Sequence, residues 1–322
     1  MEKMKKILAM VLSVALLFSG MIFDNTLTKA DETNTWSGEA IISPEQNKLI
    51  GAGYIDIKWN NTLENVKQYK VYIDGTLKKT MSPSGDIMKF EFYTTNVKGY
   101  TAQIVAELKD NTVVKSDVRN FYVTKKGICV NRKDMGAAVD PASMNIGWYY
   151  DWDYKSLKDW NYKNKKFYDL EFVPMIWGDD SVDISKRCEY ANRKGYKYML
   201  SYNEPDLKLE SNKQPDTMRY RWNEMIDSKG SLRLGSPATE TFQINSDKWW
   251  TPFWNGLNQT QKNNMTFIAV HAYQHYYDNA DTALEYLHTI DEIYAKYKKP
   301  IWITEFAVAD SGNVFNPKNA KH

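Results

Sequence analysis

Two stretches with the same grammar constrain this chain most. Tyr198-Met199-Leu200-Ser201-Tyr202-Asn203-Glu204-Pro205 runs apolar and aromatic, then stops in an amide, a carboxylate and a proline. Pro300-Ile301-Trp302-Ile303-Thr304-Glu305-Phe306 is a second apolar run that ends in a carboxylate. Near-continuous apolar runs are how parallel strands buried on both faces read. A proline cannot donate to the ladder, so it marks where such a strand stops. A carboxylate at the end of a buried strand is costly unless it is paired or used. A loop lysine or arginine would explain one such glutamate. Two of them, each at the end of a core strand, point to a pair of carboxyl groups facing one cavity.

After Lys125-Lys126-Gly127 short apolar strand candidates alternate with longer helical segments, the pattern of a parallel α/β architecture. The candidates are 128–130, 144–149, 172–177, 198–203, 232–236, 267–272 and 301–306. Between them, residues 181–193 place Val182, Ile184, Cys188 and Ala191 on one helical face. Residues 216–226 start at a capping Asp216 and carry Met218, Trp222 and Met225. Residues 278–297 set Leu284, Leu287, Ile290, Ile293 and Tyr294 at helical spacing. Glu204 then closes the fourth strand and Glu305 the seventh. The pattern predicts a (β/α)8 TIM barrel, whose active face lies at the C-terminal ends of its strands. Residues 307–322 are polar and carry no strand pattern, so the barrel is expected to lack its eighth strand and to keep an open edge.

Upstream, residues 35–124 alternate in the strand manner. Ile55-Asp56-Ile57-Lys58-Trp59 and Tyr69-Lys70-Val71-Tyr72-Ile73 are examples, the second stopping at the hairpin signal Asp74-Gly75. About seven short strands in this stretch have the size and rhythm of a β-sandwich. The stretch resembles a fibronectin type III module, the likeness lying in Tyr69–Ile73 and the closing Phe121-Tyr122-Val123. Its aromatics alternate at core-like positions, which favours a spacer over a carbohydrate-binding role. Residues 1–30 read as a secretory signal: Lys3, Lys5 and Lys6 precede the apolar run Ile7 to Phe18, and Thr28-Lys29-Ala30 fits a cleavage site. The expected division is therefore a signal at 1–30, an all-β sandwich at 31–125 and a barrel at 126–322. The mature chain is expected to be secreted and monomeric, with no membrane span after cleavage; association with a bacterial cell surface is compatible with this.

Formal net charge is +2 with both signs interspersed, so no basic stripe suggests a nucleic-acid partner. Aromatic residues make up 14% of the chain, 11 Trp and 22 Tyr among them, enough to fill cores and still line a sugar-gripping cleft. Cys129 and Cys188 fall on the first strand and on the helix after the third, too far apart to bond. No Cys/His cluster has zinc spacing; His271 and His275 stand four apart but without the acidic motif of a helical metal site. No metal and no cofactor are expected.

Opposite strands of a barrel can bring two carboxyl groups to about the 5–5.5 Å at which one acts as acid/base and the other as nucleophile. Glu204 suits the acid, because its apolar and aromatic neighbours Leu200 and Tyr202 favour a neutral carboxyl. Glu305 suits the nucleophile, with Tyr273 or His271 as expected hydrogen-bond donors to it. Asn203 can donate to a sugar hydroxyl. Tyr149, Trp152, Trp177 and Tyr202 stand at or just past strand ends and are candidates for a sugar platform. Trp249, Trp250 and Trp254 read as the apolar face of a helix rather than as cleft wall.

Asn203-Glu204-Pro205 followed by Thr304-Glu305-Phe306 resembles the clan A glycoside hydrolases. Gly147-Trp148-Tyr149-Tyr150-Asp151-Trp152, Phe172-Val173-Pro174-Met175-Ile176-Trp177-Gly178, Leu200 to Asp206, Val270-His271-Ala272-Tyr273 and Ile301 to Phe306 are together similar to family 128 of that clan. The likeness covers about residues 126–310. It implies retaining endo-β-1,3-glucan hydrolysis, with Glu204 as acid/base, Glu305 as nucleophile, an aromatic-lined cleft and a β-glucan polysaccharide or oligosaccharide as partner. Two alternatives stand beside it. One is a catalytically impaired carbohydrate-binding protein on a truncated barrel; the other is a clan A glycanase acting on another β-glycan.

Overall fold

The computed structural model describes residues 34–36, 39–132, 139–178, 181, 183–240, 248–275 and 282–309. The expected signal at 1–30, Val182 and the polar segment after residue 309 lie outside the described residues.

The first part of the chain folds as strands. These are β1 (Asn34–Thr35), β2 (Ile41–Ser43), β3 (Lys48–Gly51), β4 (Gly53–Asn60) and β5 (Val66–Ile73). Then come β6 (Thr76–Met81), β7 (Ile87–Thr94), β8 (Gly99–Leu108), β9 (Val113–Lys115) and β10 (Arg119–Thr124). One sheet joins β2, β4 and β7; the other is centred on β8, which pairs with β5 on one edge and with β9 and β10 in succession on the other. Strict alternation sets the facing: Ile55, Ile57 and Trp59 of β4 and Tyr69, Val71 and Ile73 of β5 all turn into one core. The β5–β6 hairpin turns at Asp74 and Gly75, both at positive φ (49° and 70°), as a tight two-residue loop requires.

From Gly127 the strands are all parallel. They are β11 (Gly127–Cys129), β12 (Trp148–Tyr150), β13 (Glu171–Phe172), β14 (Tyr198–Met199), β15 (Arg233–Gly235), β16 (Met265–His275) and β17 (Ile301–Ala309). β11 to β13 form one ladder and β14 to β17 another, and a parallel bridge between Met175 and Leu200 links them in chain order. Among the described residues no ladder joins β17 to β11; there the Tyr150 hydroxyl oxygen lies 3.1 Å from the Thr304 carbonyl oxygen. Ile303 and Phe306 stay exposed on the outer face of β17.

Helices α1 (Ile184–Arg193), α2 (Pro215–Ser228), α3 (Trp250–Gly256), α4 (Gln259–Asn264) and α5 (Thr282–Tyr297) follow the strands. Cys188, Met218, Trp222, Met225, Trp250 and Phe253 pack from the helices onto Met199, Leu234, Ile268 and Val270 of the strands. Trp249 and Trp250 are buried in that layer, as a helix face would be. Two expectations change. α2 starts at Pro215, whose missing N–H costs nothing in a first turn, and Asp216 lies inside the helix rather than capping it. Among the described side chains of α5 the buried ones are Ile293 and Tyr297, whereas Leu284, Leu287 and Tyr294 face outward. Both cysteines are free, Cys188 buried and Cys129 half-buried.

The all-β part sits against the N-terminal ends of the parallel strands. Tyr54 of β4 packs with Tyr198, Phe267, Trp148 and Trp302, and its backbone N–H donates to the Tyr198 hydroxyl at 3.1 Å. The Arg233 guanidinium stacks 3.6 Å above the Tyr54 ring and pairs with Glu91 at 2.6 Å.

Candidate active site

At the other end, the run that begins with β14 leaves its ladder after Leu200. Asn203 is held by its N–H to the Trp177 carbonyl (3.0 Å), and Glu204 by its N–H to Ala238 (2.8 Å). Glu204 takes φ = 38°, rare for a residue with a Cβ and a form of strain that collects at functional sites. Gly178 permits the approach: its φ is 117°, and a Cβ there would lie 2.4 Å from Ser211 Cβ and 2.6 Å from the Tyr202 ring.

Glu305 reaches the same cavity through a β-bulge. In β16, Phe267, Ala269, His271 and Tyr273 share the inner face, and Ala269 pairs with Trp302 of β17. Strict alternation from Trp302 would send Glu305 outward with the exposed Ile303. The register shifts by one residue here: Ile303 pairs with Val270 but Glu305 pairs with His271, leaving Thr304 as the extra residue. The bulge turns the carboxylate inward and Phe306 outward.

The two carboxyl groups meet around His271. Its Nδ1 lies 2.7 Å from Glu204 Oε1, its Nε2 lies 3.5 Å from Glu305 Oε1, and the ring is fully buried. Single donor atoms of Glu204, His271 and Glu305 lie within 4.8 Å of one another, a spacing at which these three could also hold a cation. Glu305 accepts from the Tyr150 hydroxyl (2.9 Å) and Trp152 Nε1 (2.8 Å) on one oxygen and from the Tyr273 hydroxyl (2.5 Å) on the other. Burial and the adjacent Glu305 charge push both phenols well above their usual pKa, so they remain donors. Three donors on two oxygens suit an ionised, acceptor-only carboxylate. Trp152 attains its place with φ = 57° at the turn after β12.

The cleft over this centre measures about 470 Å³, within the size range of ligand sites. Trp152, Trp177, Asn203 and Tyr273 line it together with the two glutamates. Tyr149 and Tyr202 do not. Tyr149 is buried against Phe167 and Phe172, its hydroxyl accepting from the Leu157 N–H at 3.1 Å. Tyr202 is buried toward Met218 and Trp222, because the pleat breaks once the ladder ends at Leu200. His271 bonds Glu204 rather than Glu305, so the neighbour of the candidate acid is an imidazole and not the apolar pair Leu200 and Tyr202. Sequence reasoning missed Tyr150 as a donor, although it adjoins two platform candidates. It also missed Glu210, Glu240 and Asn131 on the cleft wall, which no local pattern marks.

Paired glutamates at the C-terminal ends of parallel strands, beneath an aromatic cleft, define the kind of centre that glycoside hydrolases use. The chain belongs to the glycosyl hydrolase catalytic core family, whose model matches residues 127–322. No curated protein matches it. Among solved structures it is similar to a family 128, subgroup I, endo-β-1,3-glucanase from Amycolatopsis mediterranei in complex with laminaritriose. That match has 25% identity and TM-score 0.48, covering 59% of this chain and 73% of that one. It is similar also to a subgroup III curdlan-specific exo-β-1,3-glucanase from Blastomyces gilchristii in complex with glucose (23%, TM-score 0.46, 57% and 76% covered). A third is a subgroup II endo-β-1,3-glucanase from Pseudomonas viridiflava (23%, TM-score 0.44, 58% and 73% covered).

Proposed function

We propose that the chain is a secreted, monomeric, retaining glycoside hydrolase that cleaves β-1,3-glucan through Glu204 and Glu305. The observation that carries this reading is the approach of the two carboxyl groups, with an oxygen of each within 4.8 Å of the other in one cleft. Carboxyl groups this near to one another favour double displacement, which uses a separation of about 5–5.5 Å, over single displacement, which needs roughly 6.5–9.5 Å to admit its water. In the first step Glu204 gives its proton to the glycosidic oxygen as the bond from that oxygen to the anomeric carbon breaks. Glu305 forms an ester bond to the same carbon. In the second step Glu204 takes a proton from water, and the water oxygen displaces Glu305. Two inversions leave the configuration unchanged. His271 steadies the Glu204 carboxyl, and Tyr150, Trp152 and Tyr273 hold Glu305 in line.

The glucan is taken from the five motifs resembling family 128, and export from the lysine-led apolar segment at residues 7–18. On this reading residues 126–322 form a (β/α)8-type catalytic domain. Residues 31–125 are then a fibronectin type III-like spacer that covers its underside. The test is reducing-end release from a linear β-1,3-glucan, with proton NMR of the anomer formed first. Wild type should release ends as the β-anomer. Glu305→Ala should lower turnover roughly 10⁴-fold or more while still binding glucan. Binding without release by the wild type would instead mark a dead barrel, and release from mannan or xylan alone another clan A glycanase.

A further inference from the structure

Glu210 belongs to the cleft but has no part in the two-carboxyl chemistry. The loop after Glu204 folds back on itself: Leu207 N–H donates to Glu204 (3.0 Å), Glu210 N–H to Leu207 (3.2 Å) and Ser211 N–H to Asn203 (3.2 Å). That return brings Glu210 Oε2 to 3.1 Å from Asn203 Nδ2. Asn203 is almost fully buried, and its Oδ1 has no hydrogen-bond partner among the described residues. A flipped amide would press Oδ1 against the Glu210 carboxylate, so Glu210 decides which way the amide points. Burial and the neighbouring Glu204 and Glu305 carboxyl groups raise the Glu210 pKa, and its bond to Asn203 opposes that rise.

We propose that Glu210 is a positioning residue that locks the Asn203 amide, leaving its free Oδ1 and second N–H to meet the sugar hydroxyl beside the anomeric carbon. The proposal rests on the glycosidase reading above. Hydrogen bonds to that hydroxyl strengthen as charge develops in the transition state, so the effect should fall on kcat rather than KM. Glu210→Ala should lower kcat on an aryl β-laminaribioside about tenfold to a hundredfold, with KM changing less than about threefold. Glu210→Gln keeps an acceptor oxygen and should recover most of the loss. With the 2-deoxy analogue of the same glycoside the Glu210→Ala penalty should vanish, which a merely structural role would not produce. The Asn203 side-chain amide pair in a ¹⁵N spectrum of the free protein reports separately: one proton should be shifted downfield in wild type and in Glu210→Gln, and lose that shift in Glu210→Ala. An equal penalty on both glycosides, or an amide pair unchanged in Glu210→Ala, overturns the proposal. If wild type cleaves neither glycoside but the amide shift is lost as expected, the substrate reading fails and the positioning role stands.

Discussion

The two ends of the same parallel strands have opposite characters. At their N-terminal ends Trp302 stacks on Phe267 at 4.2 Å and packs against Trp148 and Tyr198, and Tyr54 from the all-β part closes the cluster. Rings bury rings, and the Tyr198 hydroxyl meets the Tyr54 N–H. At the C-terminal ends stand two carboxylates with an imidazole between them, a bulge at Thr304 and positive φ at Trp152 and Glu204. One end gathers apolar burial; the other keeps two neighbouring carboxyl groups and strained backbone together. Enzymes commonly accept such destabilisation where the chemistry is done.

The sharpest way to break the contrast is at the aromatic end. Phe267→Ala removes a fully buried ring and should cost about 3–5 kcal/mol of stability, read from the urea midpoint, while activity per folded molecule holds. If activity falls with stability intact, the two ends are not separable.

A smaller effect is expected from pH. The buried Asp151, between the two residues that grip Glu305, has its pKa raised to about 7, chiefly by burial and against the pull of Arg132 at 3.9 Å. The unfolded chain loses that proton near the ordinary carboxyl range, and the folded protein only near 7. Between those values the unfolded state binds fewer protons, so stability falls as pH rises, by roughly 4 kcal/mol at most for this group. Asp151→Asn should flatten that slope in thermal unfolding between pH 4 and about 8. An unchanged slope would show that Asp151 does not titrate there.

Tyr273→Phe deletes one of three donors to Glu305 and should lower kcat about tenfold to a hundredfold, with the melting temperature nearly unchanged. The smallest effect belongs to the seam. Arg233→Ala loses the stack on Tyr54 and the Glu91 pair, each worth about 1 kcal/mol, and should shift the urea midpoint slightly without touching kcat.

Much of this was legible along the chain. The α/β rhythm after Gly127, the alternation of β4 and β5 and the two glutamates at strand ends are local patterns, set by burial with period two or 3.6. The outward turn of Leu284 and Leu287 was not legible, because an apolar stripe does not say which part of it a neighbour covers. Nor was the fate of Tyr202, an aromatic near a strand end that a broken pleat sends into the helix layer.

By itself the sequence determined which residue types stand at the ends of the buried strands, since a carboxylate after an apolar run is a fact of composition and order. Only the tertiary structure decided that Glu305 points inward, that His271 bridges toward both glutamates, and that Tyr150, Trp152 and Tyr273 converge on one carboxylate. The reason is physical: a one-residue bulge reverses the facing of every side chain beyond it, and its energy lies in pairing with a strand elsewhere in the chain.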